Sequence, residues 1–272
     1  MSWQRINFLQ LKVLNMKLAI RLALVCFLVS LSLRQALAAE SAPALAQQGK
    51  ELFADDFNRP DLTPKWRVGK GFVTVKDGVV SMAENPDDKH AAYAYVTPNF
   101  LFKDIVAEFT VKLEGARSCS LMVNDSKYKE SHAGHILKAT IAPGKVNVAD
   151  WKLGAMKLDI FDKMKDPATT DDEKKKLRES IKDKSADFKV ATDFSQWQTV
   201  RVEIVGDEML VSIDGKPAGY LKSEGIAHPT KNAIGFEVGG KSALIKDMKV
   251  WEAAPASDWS AHRDAVVSGL GK

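Results

Sequence analysis

Trp197-Gln198-Thr199-Val200-Arg201-Val202-Glu203-Ile204-Val205-Gly206-Asp207-Glu208-Met209-Leu210-Val211-Ser212-Ile213-Asp214-Gly215-Lys216-Pro217-Ala218-Gly219-Tyr220 carries the clearest β-pattern in the chain. Val200, Val202 and Ile204 alternate with Arg201, Glu203 and Val205. That is the period of a strand with one buried and one wetter face. Gly206-Asp207 and Asp214-Gly215 interrupt the pattern and supply the positive φ angles of tight hairpin turns. Residues 197–222 therefore predict a three-stranded antiparallel meander. Asp77-Gly78 repeats the device between Phe72-Val73-Thr74-Val75 and Val79-Val80-Ser81-Met82.

Working outward, runs rich in Val, Ile, Phe, Tyr and Trp recur from Glu51 between turn signals. They predict strands near 51–57, 66–75, 78–84, 91–97, 103–114, 118–124, 134–142, 145–151, 197–205, 208–214, 217–222, 232–238 and 242–252. So many short strands point to an all-β, two-sheet antiparallel β-sandwich over 51–253. One stretch, about 155–190, breaks the pattern. Thr170 stands three residues before Glu173 as a capping box, and Asp171 and Asp172 precede Lys175 and Lys176 by four. A helical insertion is expected there, either a solvated excursion or an arm for a protein partner. Residues 40–50, rich in Ala, Ser and Gln, read as a flexible lead-in. Residues 254–272 read as a tail that docks through Trp259, Val266, Val267 and Leu270 or frays.

Residues 1–39 have the form of a secretory signal. Arg5, Lys12, Lys17 and Arg21 are followed by the mostly apolar run Leu22–Leu33 and by Ala36-Leu37-Ala38. Cleavage is expected near Ala38 and Ala39, and Met16 competes with Met1 as the start. The apolar run has 12 residues, short of the roughly 20 that span a bilayer. No stable membrane span is therefore expected after cleavage, and the destination is secreted or periplasmic. The leader also distorts the charge. The chain has 39 Lys and Arg against 35 Asp and Glu. Five of the basic residues, those four and Arg34, precede Ala39 with no acid among them, which leaves 34 against 35. Nucleic-acid binding, which needs a basic surplus, is not expected. Of Cys26 and Cys119 only the second outlasts cleavage, so no internal disulfide is available. Cys119 reads as a buried strand residue.

The order of motifs resembles a known family. Leu52-Phe53-Ala54-Asp55-Asp56-Phe57, Trp66 and Val75-Lys76-Asp77-Gly78-Val79-Val80 come first. Phe102-Lys103-Asp104-Ile105-Val106-Ala107-Glu108-Phe109 and the meander follow. Ala233-Ile234-Gly235-Phe236-Glu237 and Ile245-Lys246-Asp247-Met248-Lys249-Val250-Trp251 close the series. Over about 50–252 this is similar to the 3-keto-disaccharide hydrolase domain, within the concanavalin-like and laminin-G-like jelly rolls. The resemblance implies that fold, export and a sugar ligand. Hydrolase members tend to carry Asn-Ser-Gly before a central strand; here the chain reads Gly115-Ala116-Arg117-Ser118-Cys119. The Glu-x-Asp-x-x-Glu strand of related sandwich glycosidases is also absent, so the resemblance transfers no catalytic residue.

Asn124, Asp125, His132, His135 and Trp151 form the strongest candidate ligand-binding group, at the ends of three predicted strands. Sugars need an aromatic face for their C–H side and planar polar groups for their hydroxyls. His90, Tyr93 and Tyr95 form a second group, with Tyr93 and Tyr95 on one face of a strand. No cofactor is evident. Calcium is the metal to test, at Asp125. The functional expectation is an exported sugar-binding module. A glycosidic-bond hydrolase acting on 3-keto-disaccharides or related glycans, and a non-catalytic envelope interaction protein, are the alternatives.

Overall fold

The computed structural model describes residues 43–271. The expected leader, Cys26, Met1, Met16 and the cleavage position lie outside them. The strands are β1 Ala46–Asp55, β2 Trp66–Lys70, β3 Phe72–Lys76, β4 Val79–Ala83, β5 Ala92–Val96, β6 Ile105–Asn124 and β7 His135–Ala142. They continue as β8 Lys145–Asp150, β9 Ser185–Lys189, β10 Gln198–Val205, β11 Glu208–Ile213, β12 Lys216–Lys222 and β13 Ala233–Pro255. Helices α1 Leu158–Lys165, α2 Asp171–Ser180 and α3 Trp259–Ser268 complete the set. Every strand pairing is antiparallel.

The hairpins form where the Asp-Gly pairs place them. Asp77 and Gly78 have φ of 52° and 75°, and Asp214 and Gly215 have 47° and 75°. Ile213 pairs with Lys216 and Leu210 with Tyr220 across the second of these hairpins, and Val205 pairs with Glu208 across the Gly206-Asp207 turn. Gly71, at φ 83°, divides the expected strand 66–75 into β2 and β3.

Two long strands organise the rest. The sequence predicts breaks near 115–117 and 239–241, yet β6 and β13 each run through them. The ladder between them shifts register at Gly239, Gly240 and Ser242, opposite Gly115 and Ala116. Gly115 and Gly240 take φ of 82° and 85°, the backbone of a bulge that bends a strand without ending it. The two layers of the sandwich therefore belong to one hydrogen-bonded sheet. The first layer runs β12-β11-β10, then the first half of β6, then the second half of β13 with β1, β4 and β3. The second runs β9-β8-β7, then the second half of β6, the first half of β13, β5 and β2. At the far edge the layers meet closely. A Cβ on Gly219 of β12 would lie 2.9 Å from Val146 and 3.3 Å from Phe188.

Between the layers, Phe236 packs at 4.9 Å (ring centroids) against Phe109 and stacks at 5.6 Å on Trp66. Trp66 donates its indole N–H to buried Asp55 at 2.7 Å, and Arg59 holds the same carboxylate through both terminal nitrogens. Burial works against the Asp55 charge, but Arg59, the Phe57 amide and Trp66 outweigh it and lower its pKa. Cys119 is buried, as expected, and burial pushes its thiol up to about 12.

Three expectations are corrected. The supposed lead-in already forms sheet, because β1 starts at Ala46 opposite Pro255. The supposedly wetter face of the meander is covered: Leu45, Val106, Val205, Leu210 and Trp259 form a second apolar cluster over it. Glu203 is buried there because it is needed as an acceptor. Its carboxylate takes the amides of Leu45 and Ala46 at 2.7 and 3.3 Å and the Arg201 Nε–H at 2.6 Å. Finally, the insertion is shorter than expected. The Thr170–Glu173 capping box starts α2 as predicted, but Ser185–Lys189 returns to the sheet as β9 beside β8.

Phe236→Ala removes the ring on which both layers close. It should cost about 3–5 kcal/mol of unfolding free energy, read as a lowered denaturant midpoint; a change under 1 kcal/mol would disprove this account of the core.

Candidate functional site

On its outer face the second layer forms the floor of a groove of about 520 Å³. Strand alternation selects the floor. In β6, Leu121 and Val123 join the core while Met122 and Asn124 face the groove. In β13, Ile234 and Phe236 point inward while Ala233 and Glu237 face outward. Tyr93 and Tyr95 occupy the outward phase of β5. Their rings need space, and glycines provide it. A Cβ on Gly69 would fall 1.9 Å from the Tyr93 ring, and one on Gly235 would fall 2.7 Å from the Tyr95 ring.

The two candidate groups of the sequence are one site. β13 pairs with β5 on one edge and β6 on the other. His90, Tyr93 and Tyr95 thereby join Asn124, His132, His135 and Trp151 around the same groove. His132 and His135 are brought together by Ala133 and Gly134, two successive left-handed residues at φ 52° and 71°. Their rings lie 6.1 Å apart. A Cβ at Gly134 would stand 2.1 Å from the Asp125 carbonyl oxygen, so only glycine fits.

A chain of hydrogen bonds fixes the protonation pattern. Asn124 donates its Nδ2 to the Tyr95 hydroxyl at 2.8 Å, and Tyr95 donates onward to the Met122 sulfur at 3.6 Å. The Asn124 Oδ1 therefore faces His135 Nδ1, 2.9 Å away, and must accept from it. Nδ1 carries the proton, and Nε2 holds the free lone pair. Burial lowers the His135 pKa to about 4, with the charges of His132, Lys138 and His90 acting the same way. At neutral pH the ring is uncharged. Burial pushes Tyr95 up to about 12, so its hydroxyl stays protonated.

Asp125 takes no part. One residue beyond Asn124, its carboxylate is turned into a buried network. It accepts from the Lys127 amide at 2.8 Å, Asn232 Nδ2 at 3.2 Å, His228 Nε2 at 3.1 Å and Thr230 Oγ1 at 2.8 Å. These four donors occupy its oxygens, which corrects its place among the ligand-binding residues. Among the described residues no group of three or more His, Cys, Asp or Glu is arranged to hold a metal ion.

Residues not singled out in the sequence complete the walls. Phe161 of α1 stacks on His132 at 3.9 Å, so the insertion forms one wall. The α1 start is tied down by the Leu158 amide donating to the Glu130 carbonyl at 3.0 Å. Glu237 is ion-paired with Lys138, whose ammonium also lies 4.6 Å from the Trp151 ring centroid. Alternation along Ala233–Glu237 already placed Glu237 in the outward phase; its partner comes from another strand and left no local trace.

No known protein family matches the chain, and no curated protein matches it. Solved structures do. The laminarinase from Rhodothermus marinus superposes with a TM-score of 0.52 at 11% identity, covering 78% of this chain and 100% of that one. The endo-β-1,3-glucanase from Pyrococcus furiosus gives 0.51 at 10% identity, covering 79% and 100%. SCLam, a non-specific endo-β-1,3(4)-glucanase from family GH16, gives 0.50 at 13%, covering 79% and 97%. At such identities the likeness shows the fold alone, an antiparallel β-sandwich of the jelly-roll kind.

The His135 ring should titrate near pH 4 by NMR rather than near its ordinary 6.5. Because the folded value is the lower one, the unfolded chain takes the proton first as pH falls. Stability should therefore drop between about pH 6.5 and 4. His228, also lowered by burial, adds a loss of the same sign. The part due to His135 is the difference that vanishes in His135→Gln; an unchanged profile in that variant would refute the assignment.

Proposed function

We propose that the protein binds a carbohydrate in this groove, as an exported sugar-binding module. The observation that carries the reading is the pairing of aromatic rings with fixed polar groups on one concave face. Tyr93, Trp151 and Phe161 offer apolar rings, half-buried and so still open to a ligand. Asn124, His135 and Glu237 offer acceptors and donors already oriented by their neighbours. A sugar presents matching halves, C–H faces and hydroxyl edges. Preordered polar groups lower the entropy cost of binding. The His135 Nε2 lone pair is suited to accept from a sugar hydroxyl.

The groove favours binding over glycosidic hydrolysis. The usual mechanism needs two carboxyl groups across the scissile bond. Among the described lining residues Glu237 is the single acid, and it is paired with Lys138. The laminarinase and glucanase likenesses are compatible with either activity on the same fold. Export follows from the leader-like composition of residues 1–39.

A glycan array with the purified protein tests the reading. Trp151→Ala and Tyr93→Ala should each weaken the best ligand about tenfold, the scale of one lost aromatic contact. Trp197→Ala, which removes an exposed ring near Lys246, should leave affinity unchanged. Absence of any bound glycan would reject sugar binding; equal loss in all three variants would reject the location.

A further inference from the structure

We infer that the groove selects an acidic glycan, one whose sugars carry carboxylate or sulfate groups; this rests on the sugar-binding reading above. The argument is the charge left over inside the groove. Its lining holds Arg67 from β2, Lys165 from the last turn of α1, and Glu237 from β13. Glu237 is already neutralised by Lys138, and both of these side chains are largely covered, at 18% and 14% exposure. Arg67 and Lys165 are exposed, and neither is ion-paired among the described residues. Each is held instead by an aromatic face. The Arg67 guanidinium lies 6.0 Å from the Tyr95 ring centroid, and the Lys165 ammonium lies 5.8 Å from that of Phe161. An aromatic face orients a cation without cancelling its charge.

Two positive charges therefore remain at one groove while residues beyond the leader are almost balanced, with 34 basic against 35 acidic. His135 adds no charge at neutral pH, because burial keeps its ring neutral. A neutral sugar would leave Arg67 and Lys165 to water. A uronate or a sulfate ester would accept charge-assisted hydrogen bonds from them, and the Arg67 fork suits either oxyanion. Lys165 also gives the insertion a role in recognition, since α1 would supply both an aromatic wall and a cation.

The test uses matched pairs: oligogalacturonate against its methyl ester, and a sulfated galactan oligosaccharide against its desulfated form. Titration is followed by calorimetry on the full protein. The acidic member of at least one pair should bind about tenfold tighter at low salt and lose that advantage as salt rises. The pair that shows the effect tells carboxylate from sulfate. Arg67→Gln with Lys165→Gln, checked for folding by circular dichroism, should bind acidic and neutral members alike. The single variants should each lose part of the preference. Neutral members binding as tightly as acidic ones, or a preference that survives in the folded double variant, would overturn the acidic-ligand inference while sugar binding stands. Failure of every oligosaccharide here and on the array would overturn both.

Discussion

From Asn124 opposite Ala233 to Ile105 opposite Glu252, β6 and β13 are paired along nearly their whole length. The other strands take their places from that ladder. Its register decides two surfaces at once, because successive side chains of a strand leave on opposite faces. Leu121, Val123, Ile234 and Phe236 fill the core; Met122, Asn124, Ala233 and Glu237 make the groove floor. A slip of one residue would exchange the two sets. It would bury Glu237 and Asn124 among hydrocarbon and expose Phe236 to water. The core thus enforces the chemistry of the floor.

The ladder must also bend, or it would be a flat sheet too wide to bury either face. Gly115 and Gly240, near each other across the ladder (Gly240 opposite Ala116, Gly115 opposite Ser242) and both at positive φ, accomplish the bend while hydrogen bonding continues on both sides. Continuity has a further effect on the site. Polar groups at the buried floor must be paired, since an unmet donor or acceptor there costs about 1–3 kcal/mol. The chain of His135, Asn124, Tyr95 and Met122 meets that demand inside the protein. It leaves His135 Nε2 free, and burial leaves that nitrogen unprotonated at neutral pH.

What could be read in the sequence was what is local. Asp77-Gly78 and Asp214-Gly215 fix hairpins by their own backbone preferences, and Thr170 with Glu173 starts α2 within one turn. Cys119 lies in an apolar strand run and is buried. What could not be read depends on distant partners. Glu203 alternates like an exposed residue, and its burial is explained only by Leu45 and Ala46, more than 150 positions earlier. Gly240 resembles a strand end, and only its pairing with β6 shows that the strand continues. The union of the Tyr93 and Asn124 groups required knowing that β13 separates β5 from β6. Asp125 depends on distant partners too. It lies one residue past the end of β6, and its carboxylate is drawn to His228, Thr230 and Asn232, about a hundred positions later.

The floor of the groove and its walls have separate sources. The ladder and its alternation set the concave floor, on which Glu237 is the one acid among the described lining residues. The walls come from the connections. The 131–135 loop supplies two histidines, and the chain between β8 and β9 supplies Phe161 and Lys165. Loops can change without disturbing the register that holds the core. Here α1 is nonetheless anchored, through Leu158 to Glu130 and through the stacking of Phe161 on His132. A wall fixed to the floor in this way presents its aromatic ring and its cation in a set orientation before a ligand arrives. On the proposed sugar-binding reading, affinity would depend less on ordering the insertion than on what the ligand offers to it.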